Sequence, residues 1–184
     1  MANGTLKVSN IQTSSGSGTI TLGQSGETVA LGSGASQTLA ANTPAFVAYK
    51  TSSTQAISNT TNTKVLFEGE QLDSGSVYDT SNSRFTPGVA GYYSIGAKWR
   101  YDTNTDFGDA RFMLYINGSE KITIACTNDD SNGMTFSTVV YSDADDYFEM
   151  YARQNSGGSV DINGHSTYLG DSVQALFYGY KIIT

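Results

Sequence analysis

A strict alternation of side chains runs from residue 91 to residue 101, and it restricts this stretch to a β-strand. Alternate residues of a strand point to opposite faces, so a period of two over this length predicts one buried face and one wet face. The expected buried residues are the odd-numbered ones: Tyr93, Ile95, Ala97, Trp99 and Tyr101. The even-numbered residues of the other face are Tyr92, Ser94, Gly96, Lys98 and Arg100.

The composition extends this interpretation to the whole chain. Charged residues make up 15% of the 184 residues, 20 residues are glycine, and no segment of useful length has a helical period. Such a composition favours strands and turns, so we predict an all-β protein. The net charge of -7 argues against nucleic acid and against an anionic membrane surface, because both partners select basic proteins.

The sequence also bears on where the protein is made. No apolar run reaches the roughly 18 residues that a membrane span needs, so we predict no membrane insertion. The first ten residues lack the pattern of a secretory signal, which predicts assembly in a cytoplasm. A single cysteine, Cys126, excludes an internal disulfide framework.

Two segments near the ends of the main domain are apolar on both faces. The first is residues 45–50, and the second is residues 173–182. A strand that is apolar on both sides is normally buried on both sides. A single chain would leave the second face as an exposed apolar patch, so the pattern predicts a partner surface.

A hairpin is predicted around Asn117 and Gly118, a favourable turn pair. The apolar residues on both sides of it have even numbers: Phe112, Leu114, Ile122 and Ile124. A two-residue loop would pair even with odd positions and place Lys121 opposite Leu114. We therefore expect a three-residue loop, which keeps the four apolar side chains on one face.

Six positions between residues 67 and 93 carry a resemblance to a known family. Their spacing is similar to that of the complement C1q globular head, and the positions are Phe67, Asp73, Tyr78, Phe85, Gly91 and Tyr93. Residues 145–151 and the aromatic-x-Gly-aromatic ending at 177–180 resemble the same family. The resemblance covers residues 44–184. It implies the antiparallel jelly-roll β-sandwich of about ten strands that this family shares with tumour necrosis factors.

The same resemblance implies a homotrimer, with the first and last strands next to each other in the sheet that lines the threefold axis. The partner surface would then be a second and third copy of the chain. The expected trimer-interface residues are Phe46, Ala48, Leu176, Tyr178 and Tyr180.

Three polar loops are expected at one end of the sandwich, at residues 102–109, 127–132 and 154–172. Loops on a rigid scaffold often carry binding sites, so these could form a recognition tip for glycans. They could equally be solvated turns, because Asp, Asn, Gly and Ser close turns. The candidate tip residues are Asp106, Asp129, Asp130, His165 and Tyr168.

Cofactor and catalytic signals are weak. Several aspartates offer oxygen ligands for calcium: Asp129, Asp130, Asp143, Asp145 and Asp146. No calcium-binding loop pattern is present, so we predict no metal or other cofactor. No nucleophile elbow or phosphate loop occurs, and the prediction is that the protein is not an enzyme. A pair of carboxylates for glycoside cleavage stays open, because their separation is a matter of three dimensions.

Residues 1–43 form the predicted N-terminal segment, and residues 44–184 form the head domain. The segment is interpreted either as a flexible linker or as a short β-repeat in which several chains wind together. Its opening residues resemble those of small structural proteins of bacterial viruses. The sequence thus predicts a structural virion protein of a bacterial virus, a trimeric tail fibre or capsid appendage. It would attach to another virion protein through residues 1–43 and contact a host receptor or surface glycan with its head. The alternatives are a capsid decoration protein without host binding, a virion-associated polysaccharide depolymerase and a secreted adhesin.

Overall fold

The computed structural model of the protein describes residues 43–51, 54–101, 109–126, 133–164 and 175–182, together with Ile11 and Ser33. The chain divides into two compact units, Met1–Thr38 and Leu39–Thr184. The boundary predicted between residues 43 and 44 stays a prediction, and the predicted N-terminal repeat lies outside the described residues.

All the regular structure in the described residues is β. The described part of the chain contains thirteen strands: β1 Ala45–Tyr49, β2 Gln55–Ile57, β3 Thr63–Lys64, β4 Gly69–Ser74, β5 Tyr78–Asp79, β6 Arg84–Phe85, β7 Gly91–Arg100, β8 Ala110–Ile116, β9 Ser119–Cys126, β10 Gly133–Ser142, β11 Phe148–Arg153, β12 Val160–Ile162 and β13 Leu176–Lys181. Several strands of two or three residues raise the count above the expected ten.

The strands form two main antiparallel sheets. The five-stranded sheet has the order β10-β7-β13-β1-β4. The six-stranded sheet has the order β5-β6-β11-β8-β9, and β3 pairs with β11 beside it. A small third sheet joins β12 to β2. The first and last strands pair with each other, from Ala45 opposite Tyr180 to Tyr49 opposite Leu176, as the resemblance implied.

The core lies between the two main sheets and confirms the predicted alternation. The odd-numbered residues from Tyr93 to Tyr101 are at most 2% exposed. Facing strands add inward side chains such as Phe112 and Leu114 of β8 and Phe148 and Met150 of β11. Trp99 stacks on Phe112 with ring centroids 3.4 Å apart, so the packing of these two rings joins the sheets.

The six spaced motif positions have clear structural roles. The rings of Phe67, Tyr78, Phe85 and Tyr93 are all buried in this core. The carboxylate of Asp73 accepts hydrogen bonds from the backbone N–H groups of Val77 and Tyr78, at 2.8 and 3.2 Å, and so fixes the turn that leads into β5. Gly91 has a φ of 151° at the start of β7, a conformation that favours glycine.

The predicted three-residue hairpin loop is wrong. Ile116 pairs with Ser119, so the loop contains only Asn117 and Gly118, with φ values of 52° and 72°. These positive angles match the tight turn that suits a two-residue hairpin. The register is corrected inside β9, where Lys121 is an extra residue between the pairs Leu114–Ile122 and Tyr115–Glu120. This β-bulge restores the even-to-even pairing that the loop alone would break.

A buried carboxylate attaches the short strands β3 and β6 to β11. Glu149 lies on the side of β11 opposite the core, yet it is only 3% exposed. Its Oε1 accepts hydrogen bonds from Lys64 Nζ at 2.8 Å and from Arg84 Nε at 2.9 Å. Burial of the Glu149 carboxyl alone would raise its pKa, but the hydrogen bonds and charges of Lys64 and Arg84 outweigh this and hold the pKa below its ordinary value of 4.5.

We predict that Gly118→Ala destabilises the protein by about 1 kcal/mol, because an alanine at a positive φ is strained. Unfolding in urea, followed by circular dichroism, measures this change. Gly158→Ala is the control, since a Cβ at that exposed position meets no atom within 4 Å and its φ is not positive. Equal losses for both variants would contradict the assignment of the strain to the turn.

We also predict that Glu149 contributes to acid unfolding. A carboxylate with a lowered pKa in the folded state stabilises that state above its unfolded pKa, and the stability is lost as the pH falls through the lowered value. Stability should therefore decline below about pH 4.5, the ordinary Glu value. Glu149→Gln should be less stable at pH 7 and should show a shallower decline in acid.

Urea midpoints between pH 7 and pH 3 test this prediction, with Glu70→Gln as the control on an exposed carboxylate. If Glu149→Gln follows the unaltered protein in parallel across the whole range, the ion cluster has no part in acid unfolding.

Candidate functional site

The outward side of the five-stranded sheet is an apolar surface, which we call the apolar outer face. Alternation along each strand places its side chains away from the core. Its members are Val47, Tyr49, Leu72, Tyr92, Val139, Tyr141, Leu176, Tyr178 and Tyr180. Five of them are about half exposed: Leu72 (48%), Tyr92 (50%), Val139 (58%), Tyr141 (55%) and Tyr180 (49%). Ser94, Thr135 and Ser137 lie among these side chains on the same face. Exposed apolar side chains grouped in this way are characteristic of interaction sites.

Charge on this face is confined to one end. Lys98 and Arg100 follow Gly96 along β7 and are exposed, whereas Tyr92 lies at the opposite end of the same strand. The Tyr92 and Tyr141 rings meet edge to face there, with centroids 5.4 Å apart. If another surface covered the rest of the face, no charged side chain there would lose its contact with water.

Two glycines allow two tyrosine rings to lie against the sheet. A Cβ on Gly96 would collide with the ring of Tyr178, and a Cβ on Gly69 would collide with the ring of Tyr49. Each tyrosine therefore lies down across the backbone of the neighbouring strand and is partly buried within its own chain. Rings that lie along a sheet present their faces, which favours contact with another flat surface.

The placement of Phe46 and Ala48 in an interface between chains is wrong. Their side chains are 1% and 0% exposed, because they point into the core of their own sandwich. The opposite side of β1, with Val47 and Tyr49, is the one that reaches the apolar outer face. The sequence pattern showed two apolar sides of β1 but not which side faced the core.

The other three expected interface residues do lie on the outer face. Leu176 and Tyr178 are half-buried, and Tyr180 is exposed. Sequence reasoning missed Tyr92, Val139 and Tyr141, although each alternates with a core residue and could have been found by that signal. The trimer itself stays a prediction.

The candidate tip residues Asp106, Asp129, Asp130, His165 and Tyr168 all lie outside the described residues. The strand ends that flank those loops are described, and they are tied together. Arg111 forms an ion pair of 2.7 Å with Asp109, and the Asp109 N–H donates to Asn155 Oδ1 at 2.7 Å. Among the described residues, no group of three or more His, Cys, Asp or Glu could hold a metal ion. Within the same ranges, no helix is long and apolar enough to span a lipid bilayer.

The outward side of the six-stranded sheet has a different chemistry. We call the group around Glu149 the cation patch, and its other members are Asn62, Lys64, Arg84, Tyr115, Tyr147 and Tyr151. The Tyr115 and Tyr151 rings stack with centroids 4.0 Å apart. The Arg84 guanidinium lies 3.9 Å from the centre of the Tyr147 ring. The sequence did not predict this group, because a charged residue between two apolar ones, such as Glu149 between Phe148 and Met150, is expected to be exposed to solvent.

The chain matches no protein-family model. It is similar to the phage-like element PBSX protein XkdV of Bacillus subtilis (strain 168), with 27% identity over 138 residues. That match covers 70% of this chain but only 19% of the relative, so this chain spans a small part of the relative's length.

Solved structures resemble the fold at low sequence identity. The PRD1 vertex protein P5 superposes with a TM-score of 0.52 at 16% identity, over 78% of this chain and 98% of that one. Murine APRIL at pH 8.5 gives 0.53 at 11% identity, over 77% and 100%. The globular domain of zebrafish complement 1qA gives 0.47 at 14% identity, over 77% and 98%. None of these proteins is named as an enzyme. The two superpositions above 0.5, together with the two antiparallel sheets, confirm the jelly-roll sandwich that the family resemblance implied.

Proposed function

We propose that this protein is a structural component of a bacterial virus particle, in which three copies assemble through the apolar outer face and expose the head to the host surface. The observation that carries the proposal is that face. Its larger side chains are apolar, its charge is confined to one end, and it includes β1 and β13, the first and last strands of the described residues.

The proposed place in a virus particle is supported by the similarity to the phage-like element protein. This chain spans only a small part of that relative, so the role is proposed for this chain and is not transferred from the whole relative. The likeness to a virus vertex protein concerns the fold alone, because its identity is 16%.

Self-association is supported by the energetics of the outer face. Covering apolar side chains contributes roughly 25 cal/mol per Å² of area removed from water. Five side chains of the outer face are about half exposed in a single chain and offer such area. The rings of Tyr49 and Tyr178 already lie against the sheet, so they need little rearrangement when a second copy covers them. A threefold arrangement is supported by the C1q-like spacing of the motif residues.

Within the particle, we propose that residues 1–43 attach to another virion protein and that the tip loops contact a host receptor or glycan. The protein would act by binding and not by catalysis. A capsid decoration protein would differ in behaviour: it would need residues 1–43 for docking and would bind no host cells.

Three measurements test this function. Native mass spectrometry of the full chain should give three times the mass of 19.6 kDa. Gold-labelled antibodies should mark the source virus particles, and the labelled full chain should bind the bacteria that this virus infects. A monomer at micromolar concentration would overturn the assembly, and particles without label would overturn the location.

We predict that Val139→Asp and Tyr178→Asp each prevent assembly. Either substitution would bury a carboxylate without a partner in the interface, at a cost of several kcal/mol. Val139 is exposed and Tyr178 is half-buried, so replacing Val139 disturbs the fold of a single chain less than replacing Tyr178 does. Native mass measures the loss of the trimer, and circular dichroism checks that the monomer stays folded.

Ala125→Asp is the matched control, because Ala125 is exposed on the six-stranded sheet, opposite Arg111 and away from the proposed interface. Its mass should be that of the unaltered protein. If Val139→Asp and Tyr178→Asp also ran as trimers of unchanged stability, another surface would have to hold the copies together.

A further inference from the structure

Four asparagines of the chain are followed directly by glycine, at residues 3–4, 117–118, 132–133 and 163–164. An asparagine in this setting can lose its side-chain amide spontaneously, because glycine has no Cβ to shield its backbone nitrogen from the neighbouring carboxamide. Two of the pairs, Asn117–Gly118 and Asn163–Gly164, lie entirely in the described residues, so their surroundings can be compared.

The side-chain amide of Asn117 is held at both ends. Its Nδ2 donates a hydrogen bond to Asp146 Oδ1 at 2.6 Å, and its Oδ1 accepts one from the Tyr147 N–H at 3.0 Å. The Asn117 N–H also donates to Tyr147 O at 3.1 Å. Both ends of this carboxamide would have to leave their partners before its carbon could approach the nitrogen of Gly118.

The side-chain amide of Asn163, directly after β12, is in a different situation. Its Oδ1 is buried, and it accepts no hydrogen bond within the described part of the chain. A buried polar atom without a partner destabilises the conformation that contains it. No hydrogen bond to this oxygen therefore opposes a rotation of the carboxamide toward the nitrogen of Gly164.

Packing explains why residue 164 is a glycine. A Cβ at this position would collide with the Thr51 carbonyl group and would lie 2.9 Å from Lys50 Cγ. These neighbours are themselves held in place by Glu68. Lys50 is only 1% exposed, its Nζ lies 3.0 Å from Glu68 Oε1, and the Thr51 N–H donates to Glu68 Oε2 at 3.2 Å. The contact that requires glycine thus leaves Asn163 beside the least hindered kind of backbone nitrogen.

The same place joins the two described ends that flank residues 165–174. Gly164 lies against Thr51, and the Lys50 N–H donates to Ala175 O at 3.1 Å. The described residues on both sides of this segment therefore meet at Lys50 and Thr51. A covalent change at Asn163 would alter this junction, next to the segment that contains two of the candidate tip residues, His165 and Tyr168.

We propose that Asn163 is a site of spontaneous deamidation in the folded protein. The Gly164 nitrogen gives its proton to hydroxide and attacks Asn163 Cγ, the Cγ–Nδ2 bond breaks, and the side-chain nitrogen leaves as ammonia. Water then opens the cyclic imide to aspartate or isoaspartate. One water is consumed and one ammonia released, so no other reactant is needed. Either product carries a carboxylate in place of a neutral amide, and isoaspartate also lengthens the main chain by one carbon.

The experiment incubates the folded full chain in mildly alkaline buffer and follows each asparagine by peptide mass spectrometry. Deamidation appears as a gain of about one dalton. Asn163 should convert about tenfold faster than Asn117, because the hydrogen bonds that hold the Asn117 amide must open first. Asn117 is the matched control, since it is the same dipeptide in the same sample.

Two further comparisons separate the effect of the fold from that of the sequence. In concentrated urea both pairs lose their surroundings, so Asn163 and Asn117 should convert at similar rates. Asp146→Ala removes the acceptor of the Asn117 Nδ2 and should speed conversion at Asn117 in the folded protein while leaving Asn163 unchanged. Circular dichroism checks that this variant is folded, and if it is not, the comparison of folded and unfolded wild-type chains still decides.

Faster conversion at Asn163 in the folded chain, with the difference lost in urea, supports the proposal. Equal rates in the folded chain, slower conversion at Asn163, or the same ratio of rates in folded and unfolded chains would overturn it. The proposal goes beyond the proposed function and does not depend on assembly or host contact, so its failure would leave both of those standing.

Discussion

The packing of Phe46 against the opposite sheet is the interaction on which the rest of the sandwich depends. Its ring stacks on Tyr78 at 4.7 Å, contacts Phe85 at 4.4 Å and meets Phe177 edge to face at 4.7 Å. These rings come from β5 and β6, which follow each other in the other sheet, and from β13 at the far end of the domain. Aromatic pairs of this kind stabilise a protein by about 0.5–1.5 kcal/mol beyond their burial, so one side chain fixes how the first strand, the last strand and the second sheet fit together.

Once Phe46 points inward, the remaining surfaces are determined by alternation. Val47 must point outward, and β13 and β7 follow in register beside it. One sandwich thereby presents two outer faces of opposite character. The five-stranded sheet shows tyrosine and aliphatic side chains with charge at one end only, and the six-stranded sheet shows cations held around a buried carboxylate. A protein with this division can join copies on one side and keep the other side for a different partner.

The sequence was sufficient for the features that depend on local periodicity. The alternation from Tyr93 to Tyr101 predicted β7 and its buried face, and the even numbering of Phe112 and Ile124 predicted their shared face. It was insufficient where the outcome depends on distant strands. Nothing local tells which side of β1 meets the core, so Phe46 was misplaced. Glu149 is buried by Lys64 and Arg84, which lie 85 and 65 residues away. The even-to-even pairing of β8 and β9 requires one extra residue, which can lie either in the loop or in a β-bulge. The sequence does not distinguish the two, and the structure has the extra residue in the bulge.

The flat tyrosines carry a consequence for how related sequences can diverge. The ring of Tyr178 occupies the space that any Cβ at position 96 would need, and Tyr49 does the same above position 69. Each glycine is therefore coupled to its tyrosine: a larger residue at 96 requires the ring at 178 to turn away or to be replaced by a smaller side chain. Homologues with a larger residue at position 96 should therefore carry a smaller side chain at position 178. These two positions lie on neighbouring strands and 82 residues apart, and the coupling should hold even where the rest of the face varies.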